Sequence, residues 1–166
     1  MKLGGLKMYY NTLKKSKRLL LRKRLIRVLF KNTLEKLNLS NINLKIIDNI
    51  NKSSYANAVY NSYSDDIIEK NVYLNIGVFD DRIKNGYNNS YYDNRKEKLK
   101  KYSSNKHNLI RFIILHETKH LIDRDNFPRI DFSDKKAKNQ EFSPNRIFFE
   151  TLADDFAIYH IENKTI

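Results

Sequence analysis

The nine residues FIILHETKH, at positions 112–120, place two histidines and a glutamate directly after four apolar residues. His116 and His120 are four residues apart, so on an α-helix their imidazoles lie on one face, one turn apart. Glu117 follows the first histidine at about 100° round the helix. This spacing lets both imidazoles bind a single metal ion and places the Glu117 carboxylate beside that ion.

Two helices are predicted in the second half of the chain. Apolar residues are almost continuous in HNLIRFIILHETKHLID, residues 107–123, which indicates a buried helix that ends before Asn126. The last helix, NRIFFETLADDFAIYHI at 145–161, is predicted to follow Ser143 as the N-cap and Pro144 at the first helical position. The two histidines therefore lie on a helix that belongs to the core.

A catalytic zinc ion needs three protein ligands and an open fourth position. Since the chain has no cysteine, all the ligands must be nitrogen or oxygen. Glu150 is the best candidate for the third ligand, because Asp154 follows one turn later and can accept the free N–H of a ligating imidazole. Glu141 is an alternative ligand without such a partner. The competing interpretation is a buried helix whose histidines bond to Glu150 and Asp154 without metal.

HETKH followed by ETLADDFA (150–157) resembles the gluzincin metallopeptidases, and within them the ImmA/IrrE family, whose pattern is HExxH and later ExxAN(x)FA. The sequence departs from the family at Asp154, where Asn is usual, and at Lys119, where Gly is frequent. The resemblance implies a zincin-like fold with one Zn²⁺ held by His116, His120 and Glu150. It also implies an endopeptidase for which the substrate is a regulatory protein such as a DNA-binding transcriptional repressor.

Under this interpretation Glu117 is the catalytic residue that takes a proton from the activated water and passes it to the leaving nitrogen. Asp154 orients the ring of one ligating histidine. His160 is the first candidate for stabilising the oxyanion, with Tyr159 and Tyr102 as alternatives. His107 is interpreted only as a residue near a helix end.

The predicted fold class is α+β, in a single domain that covers residues 1–166. Three runs rich in β-branched and aromatic residues predict a sheet of three or slightly more strands: INLKIID (42–48), YANAVYNS (55–62) and NVYLNIGVF (71–79). By resemblance, NVYLNIG is the edge strand that receives a peptide substrate. Residues 80–105 form a polar insertion loop.

The N-terminal region, residues 1–37, is predicted to be a basic helical segment. Residues 1–36 contain 12 Lys and Arg and one acid, a net charge of +11, which leaves +2 for the other 130 residues. In the helix predicted at 19–37, the residues expected to face the core are Ile26, Leu29, Phe30 and Leu37. Arg24, Arg27 and Lys31 lie on the other side of the helix. Such a helix favours nucleic acid or an anionic surface as a partner, while a solvated basic helix or AT-rich codon usage also explains it.

Three functions are compatible with the sequence. The first is a cytoplasmic zinc endopeptidase, since the sequence has neither a secretory apolar region nor a membrane span. The alternative is a module that binds nucleic acid or an anionic surface on an inactive zincin scaffold. The third is metal-dependent hydrolysis of a substrate other than protein.

Overall fold

The computed structural model describes residues 3–48, 56–64, 67–76, 102, 106–126 and 144–164. Within these ranges one helix precedes three consecutive strands and two helices follow them, an α+β arrangement that confirms the predicted class. In chain order the elements are α1 (Leu3–Lys36), β1 (Ile42–Ile47), β2 (Ala56–Ser64), β3 (Ile67–Asn75), α2 (Lys106–Asn126) and α3 (Pro144–Glu162). No helix within these ranges is long and apolar enough to cross a membrane.

The three strands form one mixed sheet in the order β1-β3-β2. β1 runs parallel to β3, with Leu44 opposite Val72, and β2 runs antiparallel to it, with Ala58 also opposite Val72. β3 is therefore the central strand, and the prediction that NVYLNIG lies at the sheet edge is wrong. Its burial explains the position, because Val72 and Leu74 face the core and Asn71 and Asn75 are also buried, as in a strand covered on both faces.

The hydrophobic core lies between the sheet and the helices. α2 packs against β2 and β3 on one side and against α3 on another, while α1 contacts α2 and β1. The buried residues of this core are Ile26, Phe30, Ile42, Val72, Leu74, Ile76, Leu109, Ile110, Phe112, Ile113, Ile114, Leu115, Leu121 and Ala157. Because α2 supplies the largest share, the two histidines on it are held by the most constrained element of the fold.

The chain turns from α1 into β1 at Asn38, which has a φ of 53°. The Leu39 N–H donates to the Leu34 carbonyl at 2.9 Å, and the Asn38 N–H donates to the Glu35 carbonyl at 3.2 Å. This pair of bonds is a Schellman motif, in which a left-handed residue ends the helix and an apolar pair closes it. The turn delivers the chain directly to the outer strand of the sheet.

The predicted elements agree with the structure in kind and differ at their ends. α1 begins at Leu3, sixteen residues before the predicted start, because no proline interrupts the lysine- and leucine-rich segment. β3 begins four residues early at Ile67, and α2 continues to Asn126. Pro144 is the first residue of α3, as predicted. Ser143, the loop at 80–105 apart from Tyr102, and residues 77–79 lie outside the described residues.

A matched pair of substitutions on α1 tests this packing. Ile26 is fully buried and Leu20 is 67% exposed on the same helix. Ile26→Ala should lower the free energy of unfolding by about 2–4 kcal/mol, because it leaves a cavity between α1 and the rest of the core. Leu20→Ala should change it by no more than about 0.5 kcal/mol. Urea denaturation measures both, and equal losses would show that α1 is not packed through Ile26.

Candidate metal centre

The two histidines of the HETKH motif face each other on α2, as their spacing predicts. The Nε2 atoms of His116 and His120 are 3.1 Å apart, and the two rings meet edge to face at a centroid distance of 4.7 Å. His116 is buried and His120 is half-buried. Both Nε2 atoms therefore point to one position at the border of the core.

α3 brings a carboxylate to the same position. The Glu150 Oε2 atom lies 3.4 Å from His116 Nε2, and its Oε1 atom lies 3.6 Å from His120 Nε2. One ligand atom from each of the three residues lies within 4.8 Å of the others, so the group could hold a metal ion. The structure thus brings together the three ligands that the sequence predicts, one of them from a different helix.

The spacing of these atoms fits a zinc ion. Tetrahedral zinc with nitrogen and oxygen ligands at about 2.0–2.1 Å requires neighbouring ligand atoms about 3.3 Å apart. The two imidazole nitrogens are 3.1 Å apart, and each lies near a different oxygen of Glu150, His116 Nε2 at 3.4 Å from Oε2 and His120 Nε2 at 3.6 Å from Oε1, so these contacts are close to that value. Two imidazoles and one carboxylate are also the donor set of many catalytic zinc sites, whereas hard ions such as Mg²⁺ prefer oxygen ligands alone.

Asp154 holds the ring of His116 from the other side. Its Oδ1 atom lies 2.8 Å from His116 Nδ1, and both side chains are buried. When Nδ1 carries the proton and donates to this carboxylate, the Nε2 lone pair faces His120 and Glu150. This is the arrangement that a ligating histidine needs, and the four-residue spacing from Glu150 supplies it.

The electrostatics of the group favour a cation. Burial is the largest influence on His116 and lowers its pKa, but hydrogen bonds to Asp154 and Glu150 and the charge of Glu117 outweigh it. The net effect raises the pKa of His116 to about 10. A buried imidazole that retains a proton so strongly lies among excess negative charge, and a divalent ion in place of the proton would neutralise that charge.

Glu117 lies on α2 between the two histidines and is 93% buried, since its exposed fraction is 7%. Its charge acts on His116, which shows that the carboxylate lies near the cluster. It is not one of the three converging ligands. A carboxylate near a bound metal ion and outside its ligand set can accept a proton from a water molecule on that ion.

The other predicted site residues do not join the cluster. His160 is ten residues after Glu150 on α3, about 15 Å of helix rise, and its ring contacts Phe156 and Tyr159. Burial also lowers its pKa. This position gives no support to His160 as the oxyanion donor. Tyr102 donates to Glu162 at the far end of α3.

Two further expectations concern residues away from the cluster. His107 is exposed in the first turn of α2, in agreement with its interpretation as a residue near a helix end. Glu141, the alternative ligand, lies outside the described residues.

An ion pair between Lys119 and Asp123, which was not predicted from the sequence, lies beside the site. Lys119 Nζ bonds to Asp123 Oδ1, and Asp123 is 1% exposed. The Lys119 amine also lies 6.0 Å from the centroid of the Phe156 ring on α3. The sequence contains the feature that predicts this pair, because Lys and Asp four residues apart are neighbours on a helix surface. Asp123 also lies about two turns after His116 on the same helix. The pair gives the Lys119 amine, directly before the second histidine, a partner of opposite charge.

No family model, curated protein or solved structure matches the chain. The candidate metal centre therefore rests on its own residues and distances. Neither motif by itself specifies that α2 and α3 lie side by side, so their contact is a further structural observation.

The pH dependence of stability tests the His116–Asp154 bond in the metal-free protein. Because the pKa of His116 is raised from 6.5 to about 10, its protonation stabilises the fold fully below pH 6.5, and this stability is lost as the pH rises towards 10. Asp154→Asn removes a hydrogen bond to a charged group, so it should cost about 1.5–3 kcal/mol at pH 6. The gap to wild type should narrow towards pH 10.

The measurement is urea denaturation in the presence of a chelator at several pH values between 6 and 10. Asp155→Asn is the matched control, because Asp155 is the exposed neighbour on the same helix. A gap between Asp154→Asn and wild type that stays constant over this range would contradict a protonated His116.

Proposed function

We propose that the protein is a zinc-dependent endopeptidase with a zincin-like site that resembles the ImmA/IrrE family. The observation that carries the proposal is the convergence of His116 and His120 on α2 with Glu150 on α3. The buried Glu117 beside them distinguishes a hydrolytic site from a purely structural zinc site, which has no use for a further carboxylate.

His116, His120 and Glu150 would hold the zinc ion as its three protein ligands. When bound, zinc lowers the pKa of a coordinated water to near 7 and polarises a carbonyl oxygen. The carboxylate of Glu150 and the two imidazoles would be three protein ligands, one fewer than a closed structural zinc site has, as a site that binds solvent or substrate requires. All three come from the helices α2 and α3.

Glu117 would move the proton in this reaction. Its carboxylate accepts a proton from the attacking water, and it then donates that proton to the amine nitrogen as the peptide bond breaks. Asp154 keeps the His116 ring in the orientation that presents Nε2 to the site.

The sheet limits where an extended substrate can bind. Both edges of β3 are occupied, by β1 and by β2, so β3 cannot pair with a peptide. β2 packs against α2, and among the described strands none pairs with its outer edge. A peptide that adds to β2 would run beside the helix that carries His116 and Glu117, in the manner of strand addition. The resemblance suggests a repressor-type protein as the source of that peptide.

Replacing the proposed base separates metal binding from catalysis. Glu117→Gln should retain zinc and the fold but lower the rate of peptide cleavage by about 100-fold or more, as expected for loss of a general base. The zinc-loaded protein is incubated with a proteome-derived peptide library, and new termini are counted by mass spectrometry. Glu35→Gln is the control, because Glu35 is exposed on α1. Equal cleavage by wild type and Glu117→Gln, or none by wild type, would overturn the proposal.

Removing the third ligand tests the metal centre itself. Glu150→Ala should lower the zinc affinity by about 100-fold or more, because only two imidazoles remain to bind the ion. Asp155→Ala, five residues later on α3 and exposed, should leave the affinity unchanged. Competition with a chromophoric chelator measures both variants. Wild-type affinity in Glu150→Ala would mean that the third ligand is a different residue.

A further inference from the structure

The outer side of α1 exposes apolar side chains that the fold does not cover. Leu21 is 59% exposed, Leu25 38% and Val28 48%. These three residues have the spacing i, i+4 and i+7, so they form one continuous row along the helix. We call them the apolar stripe. Single exposed leucines are ordinary on a protein surface, whereas a contiguous exposed apolar patch is typical of interaction sites.

A row of cations runs beside the apolar stripe. Arg24, Arg27 and Lys31 have the spacing i, i+3 and i+7 and are all exposed, and we call them the basic stripe. The two stripes lie roughly 90° apart on the helix. Lys31 also lies 3.5 Å from Glu35, a pair of exposed side chains that contributes little. The outer side of α1 therefore combines apolar and positively charged surface along the same two turns.

The fold fixes this side of α1 towards the outside. Ile26 and Phe30 are buried in the core, and they lie about 140–180° round the helix from Leu21. Rotating α1 to bury the apolar stripe would expose these two residues, so in this packing the stripe stays on the outside of the described part of the chain.

The combination of the two stripes selects among possible surfaces. The phosphates of nucleic acid attract arginine and lysine, but a row of leucine and valine adds little to the affinity for nucleic acid. A protein partner would cover the apolar stripe, yet the three cations beside it would require an acidic patch as well. An anionic bilayer offers both parts in one plane, with negatively charged headgroups above an apolar layer.

We propose that the outer side of α1 docks on an anionic lipid bilayer, with the helix lying in the plane of the surface. The apolar stripe enters the boundary between headgroups and acyl chains, and the basic stripe contacts the negatively charged headgroups. Docking leaves α2 and α3 untouched, because α1 contributes none of the three metal ligands. The inference is independent of the proposed peptidase activity.

The test is co-sedimentation of the full-length protein with large unilamellar vesicles, either 70:30 phosphatidylcholine:phosphatidylglycerol or pure phosphatidylcholine. Wild type should bind the first and bind the second at least about 30-fold more weakly. A triple variant with Arg24→Gln, Arg27→Gln and Lys31→Gln should lose about 100-fold in affinity for the anionic vesicles, since each cation near such a surface contributes roughly fivefold.

The decisive variant removes the apolar stripe and keeps every charge. Leu21→Gln, Leu25→Gln and Val28→Gln together should lower vesicle affinity by about 10-fold or more, because the apolar contribution is lost. Lys164→Gln, an exposed lysine beyond the end of α3, is the control and should bind as wild type does. Helix content by circular dichroism checks that each variant is folded, as expected for exposed positions.

Three results would overturn the proposal. Vesicle binding that is unaffected by the apolar substitutions would reduce it to general charge attraction. Binding to a 20-base-pair duplex that exceeds vesicle binding and ignores the apolar stripe would identify nucleic acid as the partner. A dimer in analytical ultracentrifugation that the apolar substitutions dissociate would show that a second copy of the chain covers the stripe.

Discussion

The hydrogen bond between His116 on α2 and Asp154 on α3 is the constraint on which the rest of the site depends. α2 is apolar along most of its length, and it buries His116, Glu117 and Asp123 among those apolar residues. Buried ionisable groups are costly unless they have partners. α3 supplies two of those partners, Asp154 and Glu150, one turn apart. The packing of α3 against α2 therefore also brings together the residues of the candidate metal centre.

Much of the site was predictable because it is encoded by short spacings. HExxH fixes both imidazoles on one face of a helix, and ETLAD fixes a ligand and its supporting carboxylate on another. What the sequence did not specify is how distant elements meet. NVYLNIG has the composition of a strand in any position. β3 is central only because β1 pairs with the edge of β3 that β2 does not occupy. His160 was selected by residue type, whereas its position on α3, ten residues after Glu150, gives that role no support.

For α1 as well, the sequence predicted the helix and its core-facing side, but not which of its apolar residues are exposed. The alternation of Ile26 and Phe30 with basic residues correctly predicted a helix with one face on the core. The leucines at 20, 21 and 25 could not be assigned from the sequence, since a run of apolar residues fits a buried helix equally well. Only the packing of α1 against α2 and β1 shows which of them remain exposed. A basic helix thereby becomes a surface of two adjacent stripes with different chemistry.

The coordination of zinc in solution tests the central claim most directly. Extended X-ray absorption at the zinc edge of the stoichiometrically loaded protein should show nitrogen and oxygen neighbours at about 2.0–2.1 Å, with outer-shell scattering from two imidazoles. His120→Gln should reduce that outer shell to one imidazole. An outer shell without imidazole scattering, or one that His120→Gln leaves unchanged, would contradict a metal centre built from His116, His120 and Glu150.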